Sequence, residues 1–205
     1  NNCYEAIRRV IATKSVSLRR REIACSVFWI VTSDRVSVSA LATELAQDII
    51  DALQGLSSSE TQECSGFFEA ACGTLANLAL DTDNHAQLVK IGAVQVLCEA
   101  VDMHSSSEDV MLVCCTAFAN LAASNVGFGA SNADTQCAIK ALFACIKAKI
   151  ECPEVIREAF RALNNLSDRS PLTPFTLNAI DAIICVILVH PHDTSVIENA
   201  LRVLV

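Results

Sequence analysis

Apolar positions recur along this chain at helical spacing. In the run ACGTLANLA, residues 71–79, Ala71, Cys72, Leu75 and Leu78 sit one, three or four positions apart, the signature of one helix stripe. At about 100° per residue, with Asn77 at zero, Ala71 falls at about 120°, Leu75 at about 160° and Cys72 at about 220°. The stripe therefore lies opposite Asn77, which the pattern places on a solvent-facing ridge with Gly73, Ala70 and Gly66. After this helix comes a polar stretch, a second apolar run and the isolated Gly92. There a short helix should end and another begin at a sharp angle, using the positive φ that glycine tolerates.

The pattern repeats. Ala71–Ala79 aligns with Cys114–Ala122, and again with Ala159–Ser167, so that Asn77, Asn120 and Asn165 share one register, 43 and 45 residues apart. A weaker copy, Ala24–Val31, lies 47 residues upstream with Ile30 in place of Asn, and Ala200–Leu204 restarts the motif 41 residues after Ala159. Behind each motif a second element recurs: GAVQVL at Gly92, CAIKAL at Cys137, NAIDAI at Asn178 and, more weakly, DIIDAL at Asp48. Asn178 tolerates a left-handed turn, Asp48 less well and Cys137 not at all, so at Cys137 either the turn relaxes or the register slips. A drifting period of this length belongs to stacked two- or three-helix repeats. The copies divide the chain roughly into 1–35, 36–80, 81–123, 124–168 and 169–205, about three full repeats between two partial ones. Polar loops join the elements, and Ser59 with Gln62 has capping-box spacing before the helix that carries Asn77.

A long helix ending in A-x-x-x-L-x-N-L, then a short helix, then G-A-V-x-x-L, resembles the armadillo repeat over essentially the whole chain. The resemblance implies an all-α, right-handed superhelical solenoid whose third helices line a concave groove for extended peptides or partner proteins. The expected groove rows are Asn77, Gly73, Ala70 and Gly66; Asn120, Thr116, Val113 and Asp109; then Asn165, Arg161, Glu158 and Glu154. In the first copy the row reads Ile30, Ser26, Ile23 and Arg19. Gly66, Ala70 and Gly73 would leave an open floor. The Asn amides, donors and acceptors together, would hold a ligand's backbone, and removing all three would weaken binding without unfolding. An Asn near a helix end also caps its own turn, and that local role is the alternative. Armadillo proteins of the importin-α type pair this Asn with a Trp four residues earlier. Here those positions hold Gly73, Thr116 and Arg161, and Trp29 is out of register, which argues against basic nuclear-import peptides.

Composition narrows the function classes. Hydrophobic residues make up 52% of the 205-residue chain but aromatics only 5%, which suits closely packed helices. The formal charge of −8 disfavours nucleic acid, whose binders rely on a basic excess. The longest apolar run, Ala182–Val189, is too short to cross a bilayer, which takes about 20 residues, so no membrane insertion is expected. No signal peptide opens the chain, and it stops inside an apolar helical pattern, as a piece of a longer protein would. Eleven cysteines without a C-x-x-C read as buried, reduced thiols in an intracellular, reducing compartment, with Cys25, Cys72 and Cys115 at equivalent unlinked positions.

Other chemistry is thin. Gly127-Phe128-Gly129 lacks the setting of a phosphate loop and reads as a linker; Asp81–Asn84 reads as a helix cap. Arg19-Arg20-Arg21 reads as a solvated face, and His190 and His192 as a turn pair without partners. No catalytic constellation, metal or cofactor site emerges, and a non-enzyme is expected. Three functional readings stay open: a peptide-binding module, a structural brace within a cytoskeletal, ciliary or organellar complex, and a regulatory repeat region of a larger enzyme.

Overall fold

Each apolar stripe closes into a helix because good helix formers fill it and proline keeps out of its interior. Pro153 stands at the first position of its helix, where its missing N–H costs nothing. The computed structural model describes residues 2–33, 42–56, 64–124, 128, 132–167 and 176–203. Its α-helices are α1 (Asn2–Ala12), α2 (Leu18–Thr32), α3 (Ala42–Gln54), α4 (Ser65–Leu78), α5 (His85–Lys90), α6 (Ala93–Met103), α7 (Glu108–Leu121), α8 (Asn132–Ala148), α9 (Pro153–Ser167), α10 (Thr176–Val189) and α11 (Thr194–Arg202). A 3-10 turn at Thr82–Asn84 leads into α5, and no strand occurs among the described residues. The protein is all-α, as expected.

The helices form two rows. α2, α4, α7, α9 and α11 pack in succession, each against the next, and α1, α3, α6, α8 and α10 do the same behind them. The core fills the space between the rows, with Phe28, Phe67, Phe68, Phe118 and Phe160 among its largest fully buried side chains. Side chains start several helices: Ser107 accepts from the Val110 N–H (3.4 Å) before α7, and Asp193 from the Val196 N–H (3.0 Å) before α11.

Gly92 has φ 96°, the one positive φ among the described residues, and it breaks α5 from α6. Asp48, Cys137 and Asn178 lie inside the unbroken helices α3, α8 and α10. At Cys137 the turn is relaxed, one of the two outcomes expected there; at Asp48 and Asn178 the expected turn is absent because a side chain strains a left-handed backbone and continuous helix is the cheaper solution.

Several polar residues sit differently from expectation. Arg21 is buried; it donates to Ile11 O (2.9 Å) and Ala52 O (3.0 Å), with its guanidinium 5.1 Å from the Phe67 ring centroid. It is an internal tie between α1, α2 and α3. His190 has a partner, Ile150 O, at 2.6 Å. The Ser59–Gln62 capping box and the Gly127 and Gly129 positions lie outside the described residues. Asp81 does cap the 3-10 turn, accepting from the Asp83 N–H at 3.1 Å. All eleven cysteines are free thiols, and Cys25, Cys72 and Cys115 are fully buried in consecutive helices of the first row. Among the described residues no helix is long and apolar enough to cross a membrane.

Candidate functional site

The three motif asparagines make the same contact three times. Asn77 Nδ2 donates to Trp29 O at 2.8 Å, Asn120 Nδ2 to Ala76 O at 2.9 Å, and Asn165 Nδ2 to Ala119 O at 2.9 Å. Each acceptor stands one residue before the Asn position of the preceding helix in the row. The last carbonyls of a helix have no intrahelical donor. At the end of α4, Leu75 O takes the Ala79 N–H and Asn77 O takes the Leu80 N–H, while the Asn120 amide reaches across to Ala76 O. Asn84 Nδ2 supplies Leu78 O in the same way (2.9 Å). α7 ends likewise: Ala122 and Ala123 serve Phe118 O and Asn120 O, and Asn165 serves Ala119 O. Each Asn is therefore a C-cap supplied by the next helix. This corrects the expectation of solvent-facing amides awaiting a ligand: Asn120 is only 7% exposed, and Asn77 and Asn165 are half-buried.

The open floor is also corrected. Gly73 and Ala70 are buried, and a Cβ added to Gly73 would fall 2.7 Å from Trp29 Cδ2. The indole of α2 lies on α4 where a side chain would otherwise stand. At Gly66 a Cβ would meet the Glu22 carboxylate at 3.0 Å. The missing side chains make room for the neighbouring helix, so they open no space for a ligand. Trp29, three residues past the position of a groove Trp in its copy (Ser26), packs on Gly73 instead.

Space does open further along the row. A depression of about 670 Å³ lies over α7 and α9, reached by the end of α4 and by α11. Of the expected groove residues, Asn77, Thr116, Asn120, Glu154, Glu158 and Arg161 line it. Gly73, Ala70, Asn165 and the exposed Asp109 do not. Leu80, Leu112, Arg157 and Asn199 complete the wall. Arg157 was legible as the residue one turn before Arg161; Asn199 was not, because the motif copy near it is incomplete.

The charges in this wall are held in pairs. Arg161 donates to Glu158 (2.5 and 3.0 Å) and to Asn120 Oδ1 (3.2 Å from both terminal nitrogens). Arg157 bridges Glu154 (3.0 Å) and Asp193 (3.1 Å), tying α9 to α11. Thr116 Oγ1 donates to Leu112 O (2.9 Å), so this hydroxyl is tied to its own helix. The surface offers carboxylates, guanidinium groups and amides side by side, together with the apolar Leu80 and Leu112. Arg161 and the Asn120 carbonyl thus form one network, so neither acts alone. A short distance along the row Glu69 faces Asp109 and Glu22; its carboxyl is pushed up, by burial first and then by those two charges.

One further arrangement has the look of chemistry. His85, fully buried, lies 2.5 Å from Ser124 Oγ through Nδ1 and 2.8 Å from Ala79 O through Nε2. The carbonyl can only accept, so Nε2 donates to it; in the neutral ring Nδ1 then accepts from the Ser124 hydroxyl. Neither side chain lines the depression. The histidine clamps the ends of α4 and α7 together. Among the described residues no group of three or more Cys, His, Asp and Glu is placed to hold a metal.

No protein-family model matches the chain, and no curated protein matches it either.

Proposed function

We propose that the chain is an armadillo-like helical solenoid acting as a non-catalytic module that holds an extended segment of a partner protein across α4, α7 and α9. The observation that carries this reading is the shared depression: Asn77, Thr116, Asn120, Glu158 and Arg161, from three different repeats, line one hollow. Helices packed about 10 Å apart match about three residues of an extended chain. The paired Glu and Arg groups suit a segment of mixed charge, with a basic side chain set toward Glu154 and Glu158. Leu80 and Leu112 suit an apolar side chain. A net charge of −8 fits a protein partner better than nucleic acid. Buried free thiols fit a reducing, intracellular setting.

The test is selection of peptides from a displayed random library on the wild-type chain, followed by affinity measurement on two variants. Thr116→Trp fills the depression and should weaken the selected peptides at least about tenfold. Glu99→Trp, on the exposed side of α6 in the other row, should leave them unchanged. The opposite pattern would place binding on the other row and end this reading.

A second reading, a brace inside a larger assembly, draws on exposed apolar faces. Ile23 (51%), Val27 and Ile30 (73%) project along α2, and Ile184 and Leu188 along α10. Contiguous exposed apolar surface marks contact with other molecules. Association with rising concentration, abolished by Ile30→Ser, would favour it.

A further inference from the structure

Helices of the first row meet through fixed positions. Thr74 Oγ1 of α4 donates to Cys25 O of α2 at 3.2 Å, and a Cβ at Gly66 of α4 would lie 3.0 Å from the Glu22 carboxylate of α2. The register of the copies carries both positions through the row. The Thr74 position is Ala117 in α7 and Ala162 in α9, all fully buried; in α2 it is Val27, 38% exposed. The Cys25 position is Cys72, Cys115 and Phe160 in the next three helices, again fully buried; in α11 it is Leu201, 45% exposed. The face that meets the preceding helix is therefore bare at α2, and the face that meets the following helix is bare at α11. In the second row α10 extends the latter surface: Ile180 is exposed where its equivalents Ile50, Val94 and Ile139 are buried.

The charges match across these two ends. Gly66 shares its register with Arg19 of α2, and Glu22 shares its register with Glu198 of α11. Stacking α11 before α2 as α2 stands before α4 would set the exposed Glu198 against Arg19, whose side chain is 74% exposed and pairs with Glu22 of its own helix. The same placement sets Leu201 against Val27. Each end thus carries the apolar and charged groups that the other end lacks.

We propose that copies of this chain stack head to tail, the α10–α11 end of one seated on the α2 end of the next, so that the first row runs on across the contact. In a helical solenoid each repeat is covered by its neighbours, and a second copy supplies the neighbour that α2 and α11 each lack. The two contacting surfaces are different, so the contact does not close on itself and builds an open-ended string. Val27, Leu201, Arg19 and Glu198 all lie outside the wall of the depression. Stacking and peptide binding therefore stand or fall separately.

The experiment follows the mass of the full chain by sedimentation velocity over a concentration series, under reducing conditions that keep the exposed Cys3 and Cys185 from cross-linking copies. The mean mass should climb past that of a dimer. Val27→Asp and Leu201→Asp each place a charge inside the contact, and each alone should weaken association at least about tenfold. An equimolar mixture of these two variants should form dimers and stop there, because each keeps one intact end. Arg19→Glu or Glu198→Arg alone should weaken association severalfold, and a chain carrying both should regain it. Circular dichroism of every variant checks that the helices remain. A wild-type chain that stays monomeric throughout the series overturns the proposal. So does a Val27→Asp protein that self-associates like wild type, or a mixture of the two Asp variants no heavier than its parts.

Discussion

Asn120→Ala removes more than a surface amide. It leaves Ala76 O, an end carbonyl of α4, without its donor, and Arg161 without one of its acceptors. A buried hydrogen bond contributes about 0.5–1.5 kcal/mol net, and a buried carbonyl left unsatisfied costs about 1–3 kcal/mol. Asn120 is nearly enclosed, so water cannot replace the lost donor easily, and the expected loss is about 2–3 kcal/mol. Asn77→Ala should cost less, about 0.5–1.5 kcal/mol. Its site is half-buried, so solvent can make up part of what Trp29 O loses. Urea denaturation followed by far-ultraviolet circular dichroism gives both values. In a chain of this size each kcal/mol moves the thermal midpoint by roughly 2–4 °C, so Asn120→Ala should lower it by about 5–10 °C. An Asn120→Ala protein as stable as wild type, or one less affected than Asn77→Ala, would refute the capping role and restore the amides to a ligand.

Gly73→Ala should destabilise by about 1–3 kcal/mol by pressing on Trp29, with a red shift in the emission of this sole tryptophan; Trp29→Leu in the same chain should recover most of the loss, and independent effects of the two changes would contradict the contact. Gly92→Ala should cost about 1–2 kcal/mol through its φ of 96° alone, since a Cβ there meets only Gln95 Oε1 at 3.5 Å; an unchanged urea midpoint would count against a left-handed turn. His104 is buried on the Phe68 ring (centroids 4.3 Å apart) with an unpartnered Nε2, and burial lowers its pKa. The folded protein therefore resists protonation more than the unfolded chain does: this contribution is full above the ordinary histidine value of about 6.5 and declines as pH falls toward the lower folded value. The urea midpoint should drop between neutral and mildly acidic pH, and less so in His104→Phe; identical pH profiles would exclude His104 as the cause.

Helix type and register were legible in the linear pattern because both depend on local spacing. The stripe of Ala71, Cys72, Leu75 and Leu78 requires a helix with one apolar side, and its copies at 114–122 and 159–167 require the same helix again. Gly92 announced its own turn, since a positive φ is a property of one residue. The shared register of Asn77, Asn120 and Asn165 was readable too, and it reappears as three equivalent hydrogen bonds. Their purpose was not readable. A helical wheel gives an angle about one axis, and whether that angle meets water or the next helix depends on how neighbours stack. The tertiary structure alone decided that the asparagines cap the preceding helix, because the carbonyls they satisfy lie more than 40 residues away in the chain. It alone decided that Gly73 receives Trp29, that Arg21 is buried against two backbone carbonyls, and that the hollow opens over α7 and α9. Local periodicity reports which side of a helix is apolar; what covers each side is a property of pairs of helices, and only their packing settles it.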